Sequence, residues 1–186
     1  MAPPVENLAA LSLDEIARLA ESRALPPVER WAPSRTGESD IRIAADGRWF
    51  HQGDPITRQN MVRLFSTILR REPDGRHVLV TPAEKLFVTV DDTPFLAVEM
   101  KVEGEGRGAK VAFRLNTGDL VLLGPEHPLL PGDGSAQPAP RLVVRGGLEA
   151  RLSRSLYYEV AEFALEHGEA EPGFWSGGHF FPIGMA

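Results

Sequence analysis

The sequence predicts an α+β protein made of two related halves, each running strand, tight turn, strand, helix and further strand, with antiparallel sheets packed against helices. Three observations carry this. Strict alternation, as in Val98, Met100 and Val102 against Glu99, Lys101 and Glu103, is the signature of a half-buried strand. Apolar residues at helical spacing follow cap signals, as in Met61, Leu64, Phe65, Ile68 and Leu69 after Thr57. The order strand, turn, strand, helix start also occurs twice, at residues 42–58 and 141–154.

Along the chain, Ser12 with Glu15 forms a capping box, and Leu11 with Ile16 the matching staple, for a helix over residues 13–23 that Pro26 and Pro27 end. Residues 28–39 read as an irregular connection. Ile41, Ile43 and Ala45 alternate up to Asp46-Gly47, a hairpin signal with Trp49 and Phe50 beyond it. Pro73, Asp74 and Gly75 stop the helix that begins after Thr57, and strands follow at 77–81, 85–90 and 95–102. Val111, Phe113 and Leu115 alternate again, and residues 120–123 continue an antiparallel meander. Residues 125–140 are rich in Pro and Gly and read as a loop. Strands at 142–144 and 148–150 flank Gly146-Gly147, Ser153 caps a final helix, and an aromatic segment closes the chain at 174–181. The division expected is residues 1–92 and 93–186.

Composition narrows the function. Twenty Lys and Arg stand against 26 Asp and Glu, for a net charge of -6 with no basic run, so nucleic acid is not an expected partner. Zero cysteines remove disulfides, thiol nucleophiles and thiolate metal sites. The amino terminus does not read as a signal peptide and no stretch is long and apolar enough to span a bilayer, so a soluble, cytoplasmic protein without membrane contact is expected.

No complete catalytic or metal motif is present, and neither a cofactor nor a metal is expected. The five histidines have no ligand spacing. Gly104, Gly106 and Gly108 join two strands with no helix behind them, so they read as a turn and not as a phosphate loop. Ser176 lacks the flanking glycines of a nucleophile elbow. An enzyme of unknown reaction stays a minor alternative.

The helix starts are more informative. Ile56-Thr57-Arg58 and Leu152-Ser153-Arg154 each put an arginine at the positive end of a helix dipole, which disfavours a cation by a few tenths of a kcal/mol. Either each guanidinium pairs with a carboxylate of the protein, or both helix ends serve an anion. The expectation is that Arg58 and Arg154 share a cleft between the halves, with Trp49 or Tyr157 stacking on a ring. Glu84 and Lys85 read as an exposed turn; buried beside Arg58 they would orient it and reach a ligand anion.

Several segments together resemble a bacterial family known as domain of unknown function 1285. They are Asp46-Gly47-Arg48-Trp49-Phe50, Ile56-Thr57-Arg58, Val62-Arg63-Leu64-Phe65, residues 80–85, Pro94-Phe95-Leu96-Ala97-Val98, Asn116-Thr117-Gly118-Asp119, residues 145–150 and Trp175-Ser176-Gly177-Gly178. The resemblance implies a duplicated two-domain fold whose C-terminal part is a pleckstrin-homology-like sheet capped by a helix. It also implies a ligand site at the domain interface, a nucleotide-like ligand and a signalling role. The function expected is therefore a ligand-binding or regulatory module for an anionic, nucleotide-like small molecule, with a protein-interaction module as the alternative.

Overall fold

The computed structural model describes residues 8–22, 24–132 and 139–184. The expected loop at 125–140 is described at 125–132 and 139–140, and residue 23, the expected end of the first helix, lies outside the described residues. The chain divides into two compact units: Ala24–Pro94 with Gly146–Leu148, and Met1–Arg23 with Phe95–Arg145 and Glu149–Ala186. They are called the N-terminal and C-terminal units below.

Helix α1 (Leu13–Ser22) starts on the expected capping box, with the Ser12 N–H donating to Glu15 Oε2 at 2.8 Å and the Glu15 N–H to Ser12 Oγ at 3.3 Å. It packs in the C-terminal unit, not with the strands that follow it in sequence. Leu13 and Ile16, with Leu8, need apolar cover, and Ala112, Leu120 and Leu122 supply it. Lys101 Nζ donates to the carbonyls of Ala9 and Leu11, tying this segment down.

The N-terminal unit is a six-stranded sheet in the order β3-β2-β1-β6-β5-β4, with β1 (Arg35–Ile43), β2 (Trp49–His51), β3 (Asp54–Pro55), β4 (Leu69–Arg71), β5 (His77–Val80) and β6 (Glu84–Val90). The Asp46-Gly47 hairpin forms as expected, pairing Ile43 with Trp49, and Gly47 takes the left-handed φ of +83° that the turn requires. A second turn follows at once, where Gln52 and Gly53 at φ +52° and +87° lead into β3.

Helix α2 (Gln59–Thr67) links β3 to β4. Its N-cap is Arg58, one residue beyond the expected Thr57, and no side chain caps it. The expected apolar stripe is not the buried face. Val62 and Ser66 face the interior, while Met61 and Leu64 are 38% and 59% exposed. The helix also ends before Leu69, because the Ile68 carbonyl accepts from the Val80 N–H at 2.9 Å and the buried Leu69 opens β4 opposite Leu79.

The C-terminal unit repeats this topology. Its sheet runs β10-β11-β12-β7-β8-β9, from β7 (Phe95–Glu103), β8 (Lys110–Leu115), β9 (Leu120–Leu122), β10 (Leu129–Leu130), β11 (Arg141–Arg145) and β12 (Leu148–Leu152). In each sheet the first and last strands lie side by side and parallel, β1 with β6 and β12 with β7. The sheets are therefore mixed and not purely antiparallel. The two helix starts that look alike in sequence occupy different places in this repeat: α2 follows the third strand of its sheet, whereas α3 (Arg154–His167) follows the sixth.

The aromatic segment forms a hairpin, β13 (Gly173–Ser176) and β14 (His179–Pro182), turning at Gly177-Gly178. Phe174 and Phe181 are buried, and the Phe174 ring meets Phe163 of α3 edge-on at 5.1 Å. Ser176 is wholly buried; its hydroxyl accepts from the Val111 N–H at 3.0 Å and donates to the Leu123 carbonyl at 2.8 Å. Ser176→Ala strands two buried backbone groups and is expected to cost about 1–3 kcal/mol in urea unfolding. An unchanged midpoint would show that water replaces the hydroxyl.

Under the N-terminal sheet, Glu72 accepts from Arg70 Nε at 2.8 Å and Lys85 Nζ at 2.7 Å, while Arg70 Nη1 holds the carbonyls of Val28 and Trp31 at 2.8 and 2.7 Å. Burial pushes the Glu72 carboxyl upward, but the hydrogen bonds from Lys85 and Arg70, together with their charges, outweigh it and hold the group below its usual range. Its stabilisation is thus complete above the unfolded value of about 4.3 and fades as pH falls through the lower folded value. Glu72→Gln leaves two cations without their partner and is expected to cost about 3 kcal/mol at neutral pH. Denaturation of both proteins at pH 7 and pH 3 should show the gap closing in acid.

Candidate functional site

In the N-terminal unit the β2-β3 hairpin and the start of α2 enclose a cavity of about 530 Å³. The scaffold that positions it is local. The Ile56 N–H donates to the Trp49 carbonyl at 2.8 Å, pinning the chain just before α2 against β2. The Gln52 N–H donates to the carbonyl of Asp40 at 2.9 Å, and Asp40 itself sits at φ +55° beside an irregularity in the β1-β6 pairing. The hairpin tip is thereby held over β1, and Ile41 of that strand forms part of the cavity floor.

The lining mixes apolar side chains, from Ile41, Pro55, Ile56, Met61 and Phe65, with polar ones, from His51, Gln52, Asp54, Thr57 and Arg58. Arg58 is exposed and its guanidinium has no hydrogen bond or ion pair with any described residue. The Met61 and Val62 N–H groups both reach the Arg58 carbonyl, at 2.9 and 3.2 Å, but those of Gln59 and Asn60 have no acceptor among the described residues. No acidic residue stands in the first turn. The start of α2 therefore has no side-chain cap, and no described residue pairs with the Arg58 guanidinium that lines the cavity.

The other residues singled out from sequence have different surroundings. Trp49 is 2% exposed and stacks on Phe65, ring centroids 6.5 Å apart and planes inclined by 24°; Phe65 and not Trp49 lines the cavity. Lys85 is paired with Glu72 and Glu84 faces Arg35 at 3.5 Å; neither lines the cavity. Arg154 and Tyr157 stand on α3 in the C-terminal unit. There Ser153 Oγ accepts from the Leu156 N–H at 3.3 Å, as its sequence position suggests, Arg154 has no ion pair among the described residues, and Tyr157 packs beside Tyr158 at 5.7 Å. Sequence reasoning missed Asp54, His51 and Phe65, although Gln52-Gly53 is a two-residue turn signal that brings Asp54 back toward the helix start.

A second cavity in the same unit, about 500 Å³, is lined by Arg71, Arg76 and His77 among others, but its charges are already engaged. Arg76 pairs with Asp74 at 2.7 Å and lies over the Phe87 ring at 4.1 Å. Burial, with the nearby Arg71 charge, lowers the His77 pKa, so its imidazole adds no positive charge at neutral pH. Among the described residues no cluster of three or more His, Asp or Glu could hold a metal ion, and no helix is long and apolar enough to cross a membrane.

Fold and cavity define a class: a two-unit α+β protein with repeated sheet topology and a pocket sized for a small molecule. Residues 26–93 match the N-terminal domain and residues 94–183 the C-terminal domain of DUF1285, described as a domain or protein of unknown function. The chain belongs to the DUF1285 family. A crystal structure of a DUF1285 protein from Silicibacter pomeroyi DSS-3 is 41% identical, with a TM-score of 0.78 over 92% of this chain and 95% of that one. One from Shewanella baltica OS155 is 26% identical, with a TM-score of 0.50 over 64% of this chain and 87% of that one. No curated protein matches the chain.

Because the Arg58 side chain has no partner among the described residues, its replacement should not cost stability. Arg58→Asp supplies the missing cap and suits the dipole, so a gain of about 1 kcal/mol is expected by thermal unfolding. A clear loss would show that the guanidinium serves the fold.

Proposed function

We propose that this protein is a ligand-binding or regulatory module that takes a small molecule with an anionic group in the cavity at the start of α2. A nucleotide-like ligand and a signalling role are the forms the family resemblance suggests. The observation that carries the reading is the Arg58 guanidinium, which has no partner among the described residues and lines a cavity together with the apolar side chains of Ile56, Met61 and Phe65. An anion there accepts from the Arg58 guanidinium, and a ring or chain on the same molecule can cover Met61 and Phe65. The geometry offers less to a catalytic reading, since the serine first considered as a nucleophile is buried between two backbone groups.

A protein-docking reading is favoured by one observation, the exposure of Met61 and Leu64 on the outer side of α2. Thermal shift against nucleotides and phosphorylated metabolites separates the two. A ligand at 100 times its dissociation constant adds about 2.7 kcal/mol of stability. Arg58→Gln should weaken that ligand by about 1.5 kcal/mol, roughly tenfold, without lowering the melting temperature of the free protein. A flat panel would move the weight to docking through α2.

A further inference from the structure

The same cavity carries charges of both signs. Asp54 and Arg58 both line it, and neither side chain has a hydrogen bond or ion pair with any described residue, including each other. Asp54 and Arg58 stand four residues apart, which bounds the separation of their backbone positions at about 14 Å. The backbone between them is restrained by Pro55, which pairs with Phe50, and by the Ile56 N–H on the Trp49 carbonyl. The same cavity is also lined by the apolar side chains of Ile41, Ile56, Met61 and Phe65.

A ligand with only an anionic group gains at Arg58 and is repelled by Asp54, and a simple amine meets the reverse. A molecule with both gains at each end and leaves neither side-chain charge unmatched when it displaces water. We propose that the cavity selects an amphipathic zwitterion: an anionic group facing Arg58, a protonated amine facing Asp54, and an apolar body against Met61 and Phe65. This rests on the reading of the cavity as an anion site and narrows it to one ligand class.

Calorimetry on the full chain with phenylalanine, 3-phenylpropionate and phenethylamine tests it, with adenosine monophosphate as an anion lacking an ammonium group. The expected result is phenylalanine binding at least tenfold tighter than either half-molecule. Asp54→Asn should abolish the preference for phenylalanine over 3-phenylpropionate without weakening the latter, and Arg58→Gln should weaken both. Melting curves for the two variants should match wild type, because neither side chain has a partner to lose. If 3-phenylpropionate or adenosine monophosphate binds as well as phenylalanine, or Asp54→Asn tightens every anion equally, the zwitterion is wrong and the anion site stands. If Arg58→Gln changes nothing, or none of the four probes binds, both readings fall.

Discussion

In each sheet the first strand lies parallel to the last, β1 beside β6 and β7 beside β12, and this pairing governs how the rest of the chain is routed. Antiparallel neighbours can be joined by a two-residue turn, whereas a parallel pair needs a long crossover. Here the crossover is itself sheet. The chain meanders outward to one edge, crosses to the opposite edge, and meanders back until its last strand meets its first. Five inter-strand steps of about 4.8 Å separate the edges by about 24 Å along the sheet. In the N-terminal unit α2 makes that crossing, its nine residues covering about 14 Å and its flanks the rest. In the C-terminal unit the link between β9 and β10 contains a tight turn, where Gly124 and His127 bridge each other, so that sheet must curl to bring its edges within reach.

The candidate site follows from that routing. A helix that crosses a sheet buries one side, here Val62 and Ser66, and leaves the other outside. Its start must stand beside the edge hairpin it has just left, which is why residues from β2, β3 and the first turn of α2 line one cavity. Pairing Trp49 with Phe65 joins hairpin to helix.

The helix starts show where local rules are kept and where one is broken. At α1, backbone and side-chain hydrogen bonds from Ser12 hold the Glu15 carboxyl below its usual range, and acidic residues occupy the first turn. At α3, Ser153 supplies the cap. At α2 there is an arginine in place of a cap and no acid. Violations of local preference tend to mark functional positions, and this one opens on the cavity.

The sequence by itself carries what depends on neighbours a few residues away: the α1 capping box, the Asp46-Gly47 hairpin, the existence of strands around Val98 and Val111, and the Ser153 cap; it misread the faces of those strands, where Phe95, Ala97 and Ala112 are buried and Val98, Met100 and Val102 only partly so. It also pointed to Arg58, through the unfavourable placement of a cation at a helix start. Only the tertiary structure decided which strands lie side by side, because alternation fixes which residues share a face but not which strand runs alongside. For the same reason it moved Leu69 from helix to strand, committed Lys85 to Glu72 thirteen residues away, and buried Trp49 against Phe65. The choice between an internally paired and a free Arg58 was also tertiary, since it turned on whether any distant carboxylate folded back against the start of α2.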